Sequence, residues 1–155
     1  MKRLTANMFN DDWALVTAGN KDHYNMMTIS WGAMGTIWGK SVLTIYVKPC
    51  RYTYEFLENN DYFVVSFFDQ DYKKDLGILG SHSGRNEDKL ALTSLQPEVI
   101  EHGITYKQAK MTVVCKKIYG QHLDEANIPD EAQSYYVNEP VHKMYIGEVV
   151  KIIEK

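Results

Sequence analysis

The chain has 155 residues, 45% of them hydrophobic, and a formal charge of −3; that is enough apolar material for one core and too little charge for a self-repelling tail. Its Lys and Arg residues are scattered, which argues against a protein that tracks a nucleic-acid backbone. Cys50 and Cys115, the two cysteines, offer no disulfide framework, and no run approaches the roughly 20 apolar residues of a membrane span. The start, Met1 to Asn7, is basic but meets Asn10-Asp11-Asp12 before any apolar run forms, unlike a secretory signal. The expectations are one domain over residues 1–155, a reducing cytoplasmic setting, and no nucleic-acid or membrane partner.

In chain order, Trp13–Thr17 reads as a short strand closed by Ala18-Gly19-Asn20, Met26–Trp31 as a second, and Val42–Val47 as a third that Pro49 stops. A helix is predicted from about Tyr52 to Asn59, with Tyr52, Phe56 and Leu57 inward and Asn59-Asn60 as its end. Tyr62–Phe68 reads as a buried central strand. Asp71–Leu79 is the next helical window, with Leu76 and Leu79 facing a core and Gly80 as its stop. The polar loop Ser81–Asp88 follows, and Asp88 is placed to cap a brief Lys89–Leu92 helix. Strands return at Glu98–Ile100, Ala109–Ile118 and Lys143–Ile152. Six or more strands with short peripheral helices, without regular βα alternation, give a β-rich α+β class, a small closed or split barrel.

Two stretches invite a ligand. At Val47–Leu57 a strand turns through a basic, proline-marked corner into a helix. The helix N-terminus offers free N–H groups, Arg51 a forked cation and Thr53 a hydroxyl, which makes the corner a phosphate seat. In Asn25–Gly35, the polar residues Asn25, Thr28 and Ser30 punctuate apolar positions before a glycine-flanked turn that lets backbone approach a ligand. Such a strand can hydrogen-bond the edge of a flat heterocycle; a half-buried strand with an ordinary turn explains the pattern equally well.

Other motifs fail on their chemistry. Gly35–Ser41 has three residues between its glycines where a P-loop needs four, and a strand follows it. Gly80-Ser81-His82-Ser83-Gly84 has a histidine where a nucleophile elbow requires serine. None of the five histidines pairs with another His or a Cys at ligand spacing, so no metal is expected. His82, His102, His122 and His142 fall at equal intervals with unlike flanks, which is coincidence. His142 reads as solvent-facing and Cys50 as an incidental thiol.

Asn25–Gly35, Trp38-Gly39-Lys40, Tyr46–Leu57, Ser83–Lys89 and His142–Glu148, in this order and with these separations, resemble the flavin reductase-like proteins, including the flavoredoxin branch. The resemblance covers nearly the whole chain, and its specific parts are the Arg-Tyr-Thr-Tyr-Glu-Phe run and the Ser-Gly-Arg loop. It implies an FMN-binding split β-barrel that works as a homodimer with flavin near the interface. It further implies that Arg51 and Thr53 meet the phosphate, that Asn25, Thr28, Ser30, Trp31 and Gly32 form a wall beside the isoalloxazine, that Ser83, Gly84, Arg85 and Lys89 form a closing loop, and that Tyr52 and Ala33 also bind the cofactor. Arg85 or Lys89 would stabilise negative charge on a reduced ring, and Trp31 with Met34 would exclude water. Hydride chemistry then belongs to the cofactor, and no catalytic dyad is needed. No Gly-x-Gly-x-x-Gly fingerprint is present, which leaves the electron donor open between NAD(P)H and another carrier, and the acceptor open between free flavin and a small molecule. A flavin carrier or sensor without enzymatic activity, and a cofactor-free interaction module, are the alternatives.

Overall fold

The computed structural model describes residues 6–155; the basic start at residues 1–5 lies outside them. Helix α1 (Met8–Asp12) leads into four strands, β1 (Ala14–Asn20), β2 (His23–Ile29), β3 (Gly32–Ile37) and β4 (Lys40–Val47). Helix α2 (Tyr52–Asn59), β5 (Tyr62–Phe67) and α3 (Lys73–Ser81) follow, then the short pair β6 (Pro97–Ile100) and β7 (Gly103–Tyr106). Two twelve-residue strands complete the order, β8 (Met111–His122) and β9 (Lys143–Glu154). Seven strands form one antiparallel sheet, β2-β1-β5-β8-β9-β4-β3, while β6 and β7 pair with each other.

The two outermost strands of this sheet, β2 and β3, are consecutive in the chain and separated only by Ser30 and Trp31. Laid flat, seven strands at about 4.8 Å spacing would hold the two edges roughly 29 Å apart. The link from Ile29 to Gly32 spans at most about 11 Å. The sheet is therefore curled on itself, and it is not closed, because β2 and β3 do not pair. The architecture is a split barrel, and its seam runs through Ser30-Trp31.

Strand periodicity divides the core in two. Ala14, Val16 and Ala18 of β1 face the barrel interior with Ile29, Ile45, Phe63, Val65 and Val113, whereas Leu15, one position out of phase, joins Met26, Leu76, Leu79 and Tyr106 beneath α3. A strand buried on both faces reads as an unbroken apolar run, which is why β1 and β5 are conspicuous in the sequence.

Several elements differ from expectation. Gly32–Gly35, read as a turn, belongs to strand β3, held by six register pairs with β4. The β3–β4 reversal is made by Trp38 and Gly39, both with positive φ, 52° and 69°, the type I′ geometry that matches strand twist. Helix α3 runs through Gly80 to Ser81 because Gly80 leaves the last turn intact, with His82 N–H donating to Ile78 O at 3.1 Å. In α2 the buried residues are Thr53, Phe56 and Leu57, and Tyr52 is half-buried, since position 53 rather than 52 shares the inward face with 56 and 57. Helix α1 and strand β7 have no counterpart among the expected elements. Among the described residues no helix is long and apolar enough to cross a membrane.

Candidate functional site

The corner after β4 is built as a seat. Arg51 N–H donates to Lys48 O at 3.0 Å, turning the chain, and Arg51 then occupies the N-cap of α2 in extended conformation with no side chain capping the helix. The first amides of α2 are left for an external acceptor. Thr53, in that first turn, is buried and accepts a hydrogen bond from Asn25 Nδ2 at 2.9 Å. This bond ties β2 to α2. The loop after α3 closes on the same point: a Cβ at Gly84 would stand 2.2 Å from Asn25 Oδ1, so only glycine lets the loop backbone lie there.

A cavity of about 150 Å³ opens at this junction. Asn25, Arg51, Tyr52, Thr53, Ser83, Gly84 and Lys89 all line it, which brings together seven of the residues singled out from sequence. A second cavity of about 240 Å³ continues along β2, where Thr28, Ser30 and Trp31 meet Tyr46, Tyr135 and His142. Met27 and Arg51 line both, so the two form one groove that follows β2 toward the seam. Gly32 lies beyond it, where an added Cβ would stand 2.8 Å from the Phe9 ring. Ala33, on exposed β3, and Arg85 line neither cavity. Arg85 is turned outward, 3.0 Å from Glu55 Oε1 and stacked over the Tyr52 ring. Met34 packs on the barrel core rather than flooring the groove.

Charges in the groove are distributed unevenly. Lys89 is buried and donates to Leu79 O and His82 O at 2.9 and 3.0 Å, terminating α3. Burial, with the nearby Arg51 guanidinium, lowers its pKa to about 8. Lys48, also buried, donates to Tyr135 O at 2.6 Å and to the Glu139 carboxylate, and lies 5.3 Å from the Tyr136 ring. Among the described residues, Arg51 alone of the four cations Lys48, Arg51, Arg85 and Lys89 makes no ion pair or hydrogen bond through its side chain, and it stands where the two cavities meet. An anion in the groove finds its free fork there. Thr28 has less to offer a ligand, because its hydroxyl donates to Leu76 O at 2.6 Å and anchors α3.

The flat end of the groove contains residues that sequence reasoning missed. His142, expected to face solvent, is 9% exposed. The segment before β9 folds back so that Tyr136 Oη lies 2.8 Å from His142 Nδ1 and the imidazole packs 4.9 Å from Trp31. Burial, then the charges of Lys48 and Arg51, lower the His142 pKa to about 4, so the ring is neutral. Tyr135 meets Trp31 edge to face at 4.9 Å. Lys48 and Tyr46 fall within the stretches that carry the family resemblance but receive no role from it; a lysine closing an apolar strand, beside a proline corner, was the available signal for Lys48.

An open barrel whose edge strand carries a groove, with the unpaired Arg51 at one end and aromatic side chains at the other, has split-barrel architecture. The chain belongs to the flavin reductase like domain family, whose model matches residues 7–155. Its structure is similar to flavoredoxin from Methanosarcina acetivorans, with TM-score 0.72 and 18% identity, covering 100% of this chain and 76% of that one. It is similar to an FMN-binding protein from Thermus thermophilus, solved with bound p-hydroxybenzaldehyde, with TM-score 0.74 and 18% identity over 100% and 79% of the two chains. Flavoredoxin of Desulfovibrio vulgaris (Miyazaki F) gives TM-score 0.71 and 19% identity over 100% and 77%. At these identities the likeness establishes the fold. No curated protein matches the sequence.

Proposed function

We propose that the protein is a homodimeric, FMN-dependent oxidoreductase that takes electrons from NAD(P)H and passes them to free flavin or another small acceptor. The observation that carries this reading is the groove itself, in which an unpaired Arg51 guanidinium joins a hydroxyl- and amide-rich cavity to an aromatic one. The residues fit FMN. Arg51, Thr53 and the first amides of α2 would hold the phosphate, while Ser83 and the Gly84 backbone close over it. Ser30, Trp31 and Tyr46 would flank the ring system. Bound FMN supplies the hydride and electron chemistry. The chain's part is to bind, orient and shield: Trp31 and Tyr135 exclude water, and the charges of Lys48 and Arg51 favour an electron-rich ring beside them. The cation in the ring cavity is thus Lys48 with Arg51, in place of Arg85.

Arg51→Ala tests the assignment. Losing one charge-assisted hydrogen bond worth about 1.5–3 kcal/mol should weaken FMN retention by roughly ten- to a hundredfold. The fold should persist, because Arg51 is exposed. Unchanged affinity would remove the phosphate role. Anaerobic NADH or NADPH should then bleach the bound flavin. The second reading, a flavin carrier or sensor, is favoured by the flavoredoxins among the structural neighbours; prompt bleaching would exclude it.

A further inference from the structure

At the other end of the β1–β2 hairpin lies a cavity of about 370 Å³ that shares no lining residue with the groove. Ala14 pairs with Ile29 beside the seam and Asn20 with His23 at the turn, so the length of the hairpin, about 20 Å, separates the two. Three segments wall the cavity: the β1–β2 turn, the entry to β5 and the β6–β7 turn. The pairing of β1 with β5 brings the first two side by side.

These two walls offer opposite chemistry. On the β1–β2 turn, Asn20 Oδ1 accepts from the amides of Asp22 and His23 at 2.9 and 3.1 Å, which leaves Nδ2 as a donor next to the Lys21 ammonium. At the entry to β5, Asn60 Nδ2 donates to Phe56 O at 2.8 Å, which leaves Oδ1 as an acceptor next to the Asp61 carboxylate. Among the described residues neither Lys21 nor Asp61 makes an ion pair; Asp61 acts at longer range on Lys117. The third wall is flat and apolar. The His102 ring stacks on Tyr62 with centroids 3.9 Å and planes 3° apart, and Val99, 63% exposed, lines the cavity with it. His102 has φ 68°, a conformation that glycine adopts freely and that costs a residue with a side chain. Tyr62 covers one face of the imidazole and leaves the other for a second ring. Glu101 Oε1, 3.5 Å from His102 Nε2, is the other carboxylate of this turn and does not line the cavity.

We propose that this cavity binds a free aromatic α-amino acid as its zwitterion. The carboxylate meets Lys21 and Asn20 Nδ2, the ammonium meets Asp61 and Asn60 Oδ1, and the ring lies on the open face of His102. A ligand carrying one charge would leave either Lys21 or Asp61 without a counter-charge, whereas a zwitterion engages both. The site is separate from the groove, and its occupancy does not rest on the reading of the groove as a flavin site.

The probe is L-tryptophan, set against tryptamine, which lacks the carboxylate, and 3-indolepropionate, which lacks the ammonium. Each is titrated into the full chain, with and without FMN, and followed by saturation-transfer NMR and by the amide resonances of Lys21 and Gly103. Tryptophan should bind at least about tenfold more tightly than either analogue, the equivalent of one charge-assisted hydrogen bond at its weakest. It should shift both amides, and FMN should not displace it. Lys21→Gln should erase the preference over tryptamine, and Asp61→Asn the preference over 3-indolepropionate. His102→Gly suits the left-handed backbone and should fold at least as stably as the native chain; it should weaken tryptophan binding by roughly two- to tenfold and leave FMN retention unchanged. Equal binding of the three probes by the native chain, no shift at Lys21 and Gly103, displacement by FMN, or undiminished tryptophan binding in His102→Gly would each overturn the proposal. Tryptophan binding by a chain that retains no FMN would leave this inference standing and remove the proposed function.

Discussion

Gly84→Ala should couple energetically to Asn25, and the size of that coupling follows from the contact between them. An added Cβ lies 2.2 Å from Asn25 Oδ1 and 3.1 Å from its Cγ, where ordinary contacts begin near about 3.5 Å. Asn25 cannot swing aside freely, because it is 5% exposed and its Nδ2 is bonded to Thr53 Oγ1. Either the amide moves and gives up a hydrogen bond worth about 0.5–1.5 kcal/mol, or the loop lifts at an overpacking cost of about 1–3 kcal/mol. The cheaper route sets the cost, so Gly84→Ala should destabilise by roughly 0.5–1.5 kcal/mol. In the Asn25→Ala background the obstacle is gone, and the same substitution should cost close to nothing. Urea unfolding of the four chains measures the cycle, with FMN retention as a second readout. Additivity within about 0.5 kcal/mol would show that loop and strand are not held against each other, and would refute the account of the cavity at that junction.

Lys48→Met should release the segment before β9, since the ammonium holds both Tyr135 O and Glu139 and no residue of the 3₁₀ turn Asp130–Tyr136 is buried. Amide exchange across 130–139 should rise at least about tenfold while β4 and β9 keep their protection; equal exchange would rule the tether out. The pKa of His142 is about 4 in the folded chain against an ordinary value of 6.5, so as pH falls the unfolded chain takes up that proton first. Its contribution is complete above about pH 6.5, drains away as pH falls toward about 4, and is constant below. His142→Gln should flatten the stability curve in that window, and a curve unchanged in shape would assign the acid loss to other groups.

The legible parts of the fold were those whose signal is local. Val42–Val47 and Tyr62–Phe67 announce themselves because β-branched and aromatic residues accumulate in them, the second being covered on both faces. Strand β3 does not, since Gly32, Ala33 and Gly35 have little strand preference of their own and are extended because β4 pairs with them. Asp88 could be named as a cap because its partner, the Ala91 amide, is three residues away. Lys48 and His142 could not be placed, because one is buried by Tyr135 and Glu139, some ninety residues on, and the other by Trp31 and a returning segment. For the site, the local corner chemistry pointed to Arg51 and Thr53 unaided. Ser83, Gly84 and Lys89 came from family resemblance, which also named Ala33 and Arg85; the structure puts these last two outside the groove because β3 is an exposed edge and Glu55 holds the guanidinium.

The order of strands also governs when binding becomes possible during synthesis. Both rims of the sheet are sequence-local hairpins, β1–β2 and β3–β4, complete by Val47. The strand that unites the two halves is β9, which pairs with β8 on one side and β4 on the other. A nascent chain therefore carries β2 long before it can curl that strand against the opposite rim, and the aromatic end of the groove, which Tyr46 of that rim helps to line, waits for the residues that emerge last of the nine strands. Cofactor capture is in this sense a report of finished topology: a ribosome-bound fragment ending before Lys143 holds both hairpins but has nothing to bring them together.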